Sequence, residues 1–346
     1  MKKIIKRLLL LSVSILISAI FAELFLRYSP RLLFFSSANN ITEPFLKIDD
    51  PVLQFVLKPN IRNNLFITNS QGFVGSKEYQ KEIRDDSKRI LTLGDSLTQG
   101  GEKLISFPRY LEEILNKESY QNIKWEVINA GVSGYNHLQV ARYFERLLKD
   151  DWQCNYVIYG ICPNDILANV KIIDDTGSLV KSVKIEDYSK KTRLKDFELV
   201  KLLVKISDIL FSRLNKPALM YKKREYYSYC KAVSGKYYDE EAAGDFEKSL
   251  DKIIKVAHSN NVKPIFVLFP QALDYEDEFI DITEYRRNRI KNYIFNKNVL
   301  FIDTHNIFTR DNIYKLFCPS DPAHPNAAGH KMVAQYIFNQ IDITKY

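Results

Sequence analysis

Four short blocks of this sequence carry side chains that could act together on a carbonyl carbon. Arg89-Ile-Leu-Thr-Leu-Gly-Asp-Ser-Leu-Thr-Gln-Gly100 is an apolar run that stops at the turn Gly94-Asp95-Ser96. A strand ending in such a turn, with a helix after it, presents a serine hydroxyl beside free backbone N–H groups. A serine hydroxyl is a weak nucleophile at neutral pH. It needs a base in hydrogen-bond reach, an acid that orients the base, and donors for the charge that grows on the attacked oxygen. Near the C-terminus, the spacing of Asp321-Pro-Ala-His324 lets one short loop carry both the imidazole and the carboxylate that holds it. Asn129-Ala-Gly131 and Gly160-Ile-Cys-Pro-Asn164-Asp165 each follow an apolar run and can supply donors.

These blocks must be brought to one place. From Lys88 onward, short apolar runs alternate with amphipathic stretches, the pattern of βαβ units and a parallel sheet. The pattern predicts strands at 90–93, 126–129, 156–161, 264–269 and 299–303, and helices at 108–117, 137–149, 246–259 and 283–295. In open parallel sheets, ligands sit beyond the carboxyl ends of the strands. Ser96, Gly131 and Asn164 each fall just past such an end, so three separate blocks converge on one edge. A last helix is expected from Pro325 to about Gln340, with proline at its first position and Met332, Val333, Tyr336, Ile337 and Ile341 as its packing stripe. Starting directly after His324, it would set a partial positive charge beside the ring and help keep the imidazole neutral.

The four blocks, in this order, resemble the SGNH, or GDSL, hydrolase superfamily over roughly 89–340 apart from an insertion. The resemblance implies an α/β fold, a three-layer α/β/α sandwich with a five-stranded parallel sheet of the flavodoxin-like kind. It implies Ser96 as nucleophile, His324 as base and Asp321 as the orienting acid. It further implies an oxyanion hole made by the backbone N–H groups of Ser96 and Gly131 and the side-chain amide of Asn164. The third block departs from the commoner Gly-x-Asn-Asp spacing, because Ile161-Cys-Pro163 separates Gly160 from Asn164. Asp95 is expected to brace the turn by accepting backbone N–H bonds, and Asp165 to brace Asn164. Members of the superfamily include carbohydrate O-acetyl esterases, lipases, thioesterases and glycan O-acetyltransferases. The implied activity is therefore that of a serine esterase working through an acyl-enzyme on an acylated glycan or lipid. The chain's setting, described below, directs this to O-acetyl groups of an extracytoplasmic glycan. A glycan O-acyltransferase using the same site, and a protein that binds a glycan or lipid without turnover, are the alternatives.

Other residues compete for these roles. His305, two residues after Asp303 at the end of the last strand, is the rival base. His258 reads as a surface residue, His330 as a packing or surface residue, and His137 as a pocket-lining one. His324 and His330 are six apart, off any one helical face, and no cysteine pair has zinc spacing. No metal and no cofactor is expected, and 94–100 lacks the Gly-Lys-Ser/Thr of a phosphate loop. Cys162 and Cys318 both adjoin the chemistry-bearing blocks and would meet an oxidising environment outside a membrane. A disulfide between them is one reading, and buried free thiols the other.

Met1-Lys-Lys-Ile-Ile-Lys-Arg7 sets four positive charges ahead of an apolar run at 8–26 that is broken only by Glu23 and a few serines. Such a run reaches across a bilayer. Ile20-Phe-Ala22 is a poor cleavage site, so residues 1–28 read as a retained transmembrane anchor in preference to a cleaved signal segment. The leading charges outnumber Arg27 and Arg31 behind, which predicts a single pass with the N-terminus cytoplasmic and the remainder outside. Residues 29–87 read as an extended spacer packing on the domain edge, with strands at 51–57 and 64–68 paired as a hairpin and closed by Asn69-Ser-Gln-Gly-Phe73. The main domain, 88–346, is interrupted at about 166–243 by an insertion with a helix near 194–213 and the stretch Tyr221-Lys-Lys-Arg-Glu-Tyr-Tyr-Ser-Tyr229. The insertion is either a decorated surface helix or a cap whose tyrosines stack on sugar rings or line an acyl groove. At 346 residues and 46% hydrophobic, the chain can fill one large core. Its net charge of +8 suits anionic lipid or glycan, while its scattered lysines, without a basic-aromatic motif, argue against nucleic acid.

Overall fold

The computed structural model describes residues 44–62, 67–101, 105–118, 123–167, 171–173, 179–182, 230–318 and 321–341, together with Ser14 and Ser18. The described residues from Pro44 onward belong to one compact unit, Thr42–Ile185 with Glu225–Tyr346; Met1–Ile41 with Glu186–Arg224 forms the other. The expected anchor at 8–26, apart from two serines, and the stretches 194–213 and 221–229 lie outside the described residues. Among the described residues no helix is long and apolar enough to cross a membrane.

The unit opens with two short strands, β1 (Phe45–Lys47) and β2 (Phe55–Leu57), followed by β3 (Ser87–Gly94), helix α1 (Ser96–Gln99) and helix α2 (Phe107–Glu118). Next come β4 (Lys124–Asn129), α3 (His137–Lys149) and β5 (Tyr156–Ile161), then a small antiparallel pair, β6 (Lys171–Ile173) and β7 (Leu179–Ser182). The chain continues through α4 (Glu240–Ser259), β8 (Lys263–Leu268), α5 (Ile280–Phe295), β9 (Leu300–Asp303) and α6 (Ile313–Leu316). It closes with the hairpin β10 (Phe317–Cys318) and β11 (Asp321–Pro325), then α7 (Ala327–Gln340).

Five strands form one parallel sheet in the order β4-β3-β5-β8-β9. All five strands expected from the apolar runs are present. The runs are nearly continuous because both faces of the sheet are covered, so successive residues bury on opposite sides. Leu91 and Leu93, Val157 and Tyr159, and Phe266 and Leu268 join one core with Phe144 of α3, Leu250 of α4 and Ile294 of α5. Ile90, Ile158, Ile265 and Val267 join the other, with Leu111 of α2 and Val333 of α7. Helices therefore lie on both faces of the sheet.

The segment before β3 departs from expectation in its pairing. β2 pairs antiparallel with β1, Phe45 facing Leu57, while Ile67 and Thr68, the described part of 64–68, bridge Arg62 and Val74. The alternating Leu53, Phe55 and Leu57 fit either partner. Burial decides, because these side chains and Phe73 are part of the main core. Tyr135 donates its hydroxyl to the Phe55 carbonyl, and Gln139 Nε2 donates to the Leu53 carbonyl at 3.0 Å, locking the segment onto α3. The turn at Asn69 forms as expected, its Oδ1 accepting the Gln71 and Phe73 N–H groups.

Three helix starts also differ, α5 beginning at Ile280 and not at 283. α4 begins at Glu240, capped by Asp239, so the insertion ends earlier than its expected limit near 243. α7 begins at Ala327 and not at Pro325: Asn326 Oδ1 caps it by accepting the Ala328 and Gly329 N–H groups, and Pro325 stays in β11. A side-chain acceptor satisfies two orphan donors there, which a proline start does not.

Arg89, on β3, is 1% exposed, and all five of its donors are used. Nε and Nη2 hold Glu126 Oε2 at 2.9 and 2.7 Å, while the remaining N–H groups reach the carbonyls of Lys81, Glu82 and Gln153. Arg89→Met is expected to lower stability by about 3 kcal/mol, because it strands Glu126 and three carbonyls together. Urea unfolding measures this, and Arg89→Lys, lacking the fork, should recover little of the loss.

Candidate active site

Ser96 is the first residue of α1, reached through a turn that two glycines make possible. Gly94 and Gly160 are register partners at the ends of β3 and β5. A Cβ on Gly94, where φ is +150°, would lie 2.3 Å from Thr98 Oγ1, and one on Gly160 would lie 2.5 Å from the same atom. Their absence lets Thr98 fold back and donate to the Leu93 carbonyl at 3.2 Å, so α1 rises directly off the sheet edge.

His324 arrives from the other end of the chain. Its Nε2 lies 2.8 Å from Ser96 Oγ, and both residues are half-buried. His324 stands on β11, whose hairpin is tied down by Asn326 Nδ2 donating to the Lys315 and Phe317 carbonyls. The helix that follows starts at Ala327, three residues after His324, and the N–H groups of Ala328 and Gly329 in its first turn are taken by Asn326. Asp321 is on the same strand, paired with Cys318; its side chain lies outside the described residues.

Asp95 braces the turn as expected and does more. It is 1% exposed, and its Oδ1 accepts the Leu97 N–H at 2.9 Å. Its Oδ2 accepts from Asn164 Nδ2 at 3.2 Å, with Ser96 Oγ at 3.5 Å. Asn164 is therefore held by Asp95, and not by Asp165. Asp165 instead closes its own short turn, taking the Tyr159 hydroxyl at 2.7 Å and the Cys162 N–H at 3.0 Å, both on Oδ2. Burial, with the nearby charge of Asp95, raises the Asp165 carboxyl well above the usual carboxylate range. Burial likewise pushes the Cys162 thiol up, which keeps it a neutral hydrophobe at neutral pH.

Gly131 has a packing role that the sequence reading did not give it. Its N–H, expected to be an oxyanion donor, donates to Asn129 Oδ1 at 3.0 Å. A Cβ there would lie 2.3 Å from the Gln99 nitrogen, so glycine allows this loop to close on α1. Gln99 Oε1 then accepts the Ser133 N–H at 2.7 Å. The next residue, Gly134, has φ +84°, and its N–H meets no acceptor among the described residues; the Ser96 N–H is likewise open. Gly134 is the residue that sequence reasoning missed, although a second glycine three positions on was visible in Asn129-Ala-Gly-Val-Ser-Gly134.

The other histidines are accounted for away from Ser96. His305 is buried, with Nδ1 2.7 Å from Asp303 Oδ1 and Nε2 3.1 Å from Asp274 Oδ2, so both ring nitrogens are engaged. Asp274 pairs with the buried Arg286 at 2.6 Å, and Asp303 with Arg287 at 2.8 Å. Burial opposes ionisation of both acids, but Arg286 and His305 hold Asp274 well below the usual range, and His305 and Arg287 hold Asp303 down at about 2. His137 is a core residue and does not line a pocket: Nδ1 meets Ser249 Oγ at 2.8 Å, and burial lowers its pKa to about 4. Burial, then the nearby His324, lowers His330 to about 3. His258 is exposed, as expected. The Cys162–Cys318 disulfide does not form: all four cysteines are unbridged thiols, and Cys318 Sγ donates to the Pro325 carbonyl at 3.7 Å.

An open parallel sheet with a serine and an imidazole in contact past its carboxyl edge is the architecture of a serine hydrolase. The model of the GDSL-like Lipase/Acylhydrolase family matches residues 92–332, and the chain belongs to that family, within the SGNH/GDSL superfamily. No curated protein matches it. Similar solved structures include a putative lipolytic protein of the G-D-S-L family from Desulfitobacterium hafniense DCB-2, with 15% identity and TM-score 0.42, covering 73% of this chain and 99% of that one. A catalytic mutant of Axe2, an acetylxylan esterase from Geobacillus stearothermophilus, matches with 16% identity and TM-score 0.44 over 74% of this chain and 94% of its own. The psychrotrophic esterase EstA from Pseudoalteromonas sp. matches with 12% identity and TM-score 0.42 over 75% and 97%.

Denatured without reductant, the chain should titrate four thiols; two would establish a disulfide. Gly131→Ala should lower stability by about 2 kcal/mol or more, measured by urea unfolding, since the clashing atoms are backbone.

Proposed function

We propose that this protein is a serine esterase that removes O-acetyl groups from an extracytoplasmic glycan through an acyl-enzyme. The observation that carries the reading is the 2.8 Å contact between Ser96 Oγ and His324 Nε2, made between residues 228 positions apart. Ser96 attacks the ester carbonyl while His324 Nε2 takes the hydroxyl proton. Asp321 orients the imidazole from the same strand. The negative charge on the tetrahedral intermediate is met by the Ser96 N–H, the Gly134 N–H and Asn164 Nδ2, with Gly134 replacing Gly131 because the Gly131 N–H is already committed. Collapse expels the sugar hydroxyl, which takes its proton from His324. Water, activated by the same ring, then releases acetate and frees the serine. Transfer of the acetyl group to an acceptor hydroxyl uses the same groups, so the acceptor alone separates an esterase from an acyltransferase.

The choice of acetyl groups on a glycan rests on setting. Four positive charges ahead of the apolar run at 8–26 support a membrane anchor with the site facing outward, and the net charge of +8 suits an anionic polymer surface.

A fluorophosphonate probe is expected to label the wild type and not Ser96→Ala; an unlabelled, folded wild type would leave a binding protein as the remaining account. His324→Ala should lower kcat at least about a thousandfold. His305→Ala should retain most of its activity per folded molecule while losing about 3 kcal/mol of stability, because it breaks a buried charge chain. Acetate release from acetylated glycans, compared with short- and long-chain esters and with transfer to a free glycan, tests the substrate and the acceptor together.

A further inference from the structure

Two carboxyl groups are buried beneath the Ser96 turn, and their surroundings differ. Both oxygens of Asp95 meet donors, the Leu97 N–H on one and Asn164 Nδ2 on the other. Asp165, 0% exposed, takes both of its donors, the Tyr159 hydroxyl and the Cys162 N–H, on Oδ2. Its Oδ1 has no hydrogen-bond partner. Among the described residues the titratable groups that act on it are Asp95 from the β3–α1 turn, Tyr159 of β5, Cys162 of its own turn and Tyr237 of the 236–238 turn, none of them a cation. Arg286, whose charge reaches Cys162 and Tyr237, is paired with Asp274 at 2.6 Å.

An ionised carboxylate in that place would lie out of bulk solvent with no cation among the described groups that act on it, leave one oxygen without a protein donor, and lie near a second negative charge. Each of these favours the neutral acid, which at worst leaves one hydroxyl unpartnered. We propose that Asp165 is a positioning residue held as the neutral acid, with its proton on Oδ1, so that the buried pair Asp95 and Asp165 carries a single negative charge. Burial, and then the charge of Asp95, shift its carboxyl in the direction this requires. Asp165 fixes the 162–166 turn, and Asn164 with it, through a neutral dipole. The oxyanion that Asn164 is proposed to meet then faces one buried anion instead of two. Only this last consequence rests on the proposed esterase reading; the proton itself does not.

The folded chain holds a proton that the unfolded chain releases above about pH 3.9. Rising pH therefore weakens the wild type through this group until the folded carboxyl itself ionises, by about tenfold in the folding equilibrium per pH unit. Asp165→Asn keeps the shape and has no such proton. Urea unfolding of the two full chains between pH 5 and 7 should give a ratio of folding constants, wild type over variant, that falls about tenfold per pH unit; a flat ratio overturns the proposal. Infrared spectra of the wild type supply a second measurement if the variant does not fold. A neutral carboxyl C=O band at pH 7 is expected, and its absence overturns the proposal. In kcat, Asp165→Asn should rescue the loss produced by Asp165→Ala, which removes the acceptor of Tyr159 and Cys162; equal losses overturn the positioning role. Failure of the wild type to react with a fluorophosphonate would sink the esterase reading and leave the unfolding ratio unaffected.

Discussion

The arrangement around Ser96 depends on one buried carboxylate. Parallel strands have no covalent link at their carboxyl ends, and the loops leaving β3 and β5 could each settle independently. Asp95 joins them: one oxygen fixes the first turn of α1 through the Leu97 N–H, and the other holds Asn164 from the neighbouring loop. Hydrogen bonds to a charged acceptor are worth roughly twice neutral ones, and in a buried site they meet little competition from water. The glycine pair beneath, Gly94 and Gly160, is the steric condition for this link, because any side chain on either would collide with Thr98.

A second set of charges sits at the far edge of the sheet and has a different role. The chain Arg286, Asp274, His305, Asp303 and Arg287 closes the carboxyl ends of β8 and β9. It consumes an imidazole and two carboxylates that, judged by residue type alone, could have been catalytic. Both of its carboxyls are depressed, whereas Asp165 is raised. The sign of the shift separates structural ion pairing from an acid that has no counter-ion.

The sheet is legible in the sequence because its three inner strands, β3, β5 and β8, are buried on both faces, which leaves apolar runs that no helix period imitates. The turn that carries Ser96 is legible because a strand, a Gly-Asp-Ser turn and a helix are dictated locally, whereas the nearness of His324, 228 positions away, comes from the resemblance and not from local geometry. What could not be read was set by distant partners. Leu53, Phe55 and Leu57 alternate equally well against 45–47 or 64–68, and the core chose the former. His305 was a fair competitor until Asp274, 31 positions away, took its second nitrogen. Gly131 follows its strand directly and reads as the donor, but the side-chain oxygen of Asn129, two residues back, captures its N–H. Proline favours a first helical position, which predicts a start at Pro325, but Asn326 offers the stronger cap and the helix starts at Ala327.

The proposed oxyanion site poses a question of electrostatics: a carboxylate lies close to where negative charge is to develop. Asp95 opposes that charge, yet it also decides which end of the Asn164 amide faces inward. A carboxylate only accepts, so it takes the NH2 end and turns the carbonyl oxygen away. One N–H of that group is spent on Asp95, and the other is left to donate elsewhere. Without the carboxylate the amide could flip and present its oxygen, an acceptor, to the developing anion. A fixed donor stabilises a transition state because it needs no reorganisation when charge appears. The repulsion from Asp95 is thus the cost of orientation, and it is tolerable only while the carboxyl of Asp165, the residue after Asn164, adds no charge of its own.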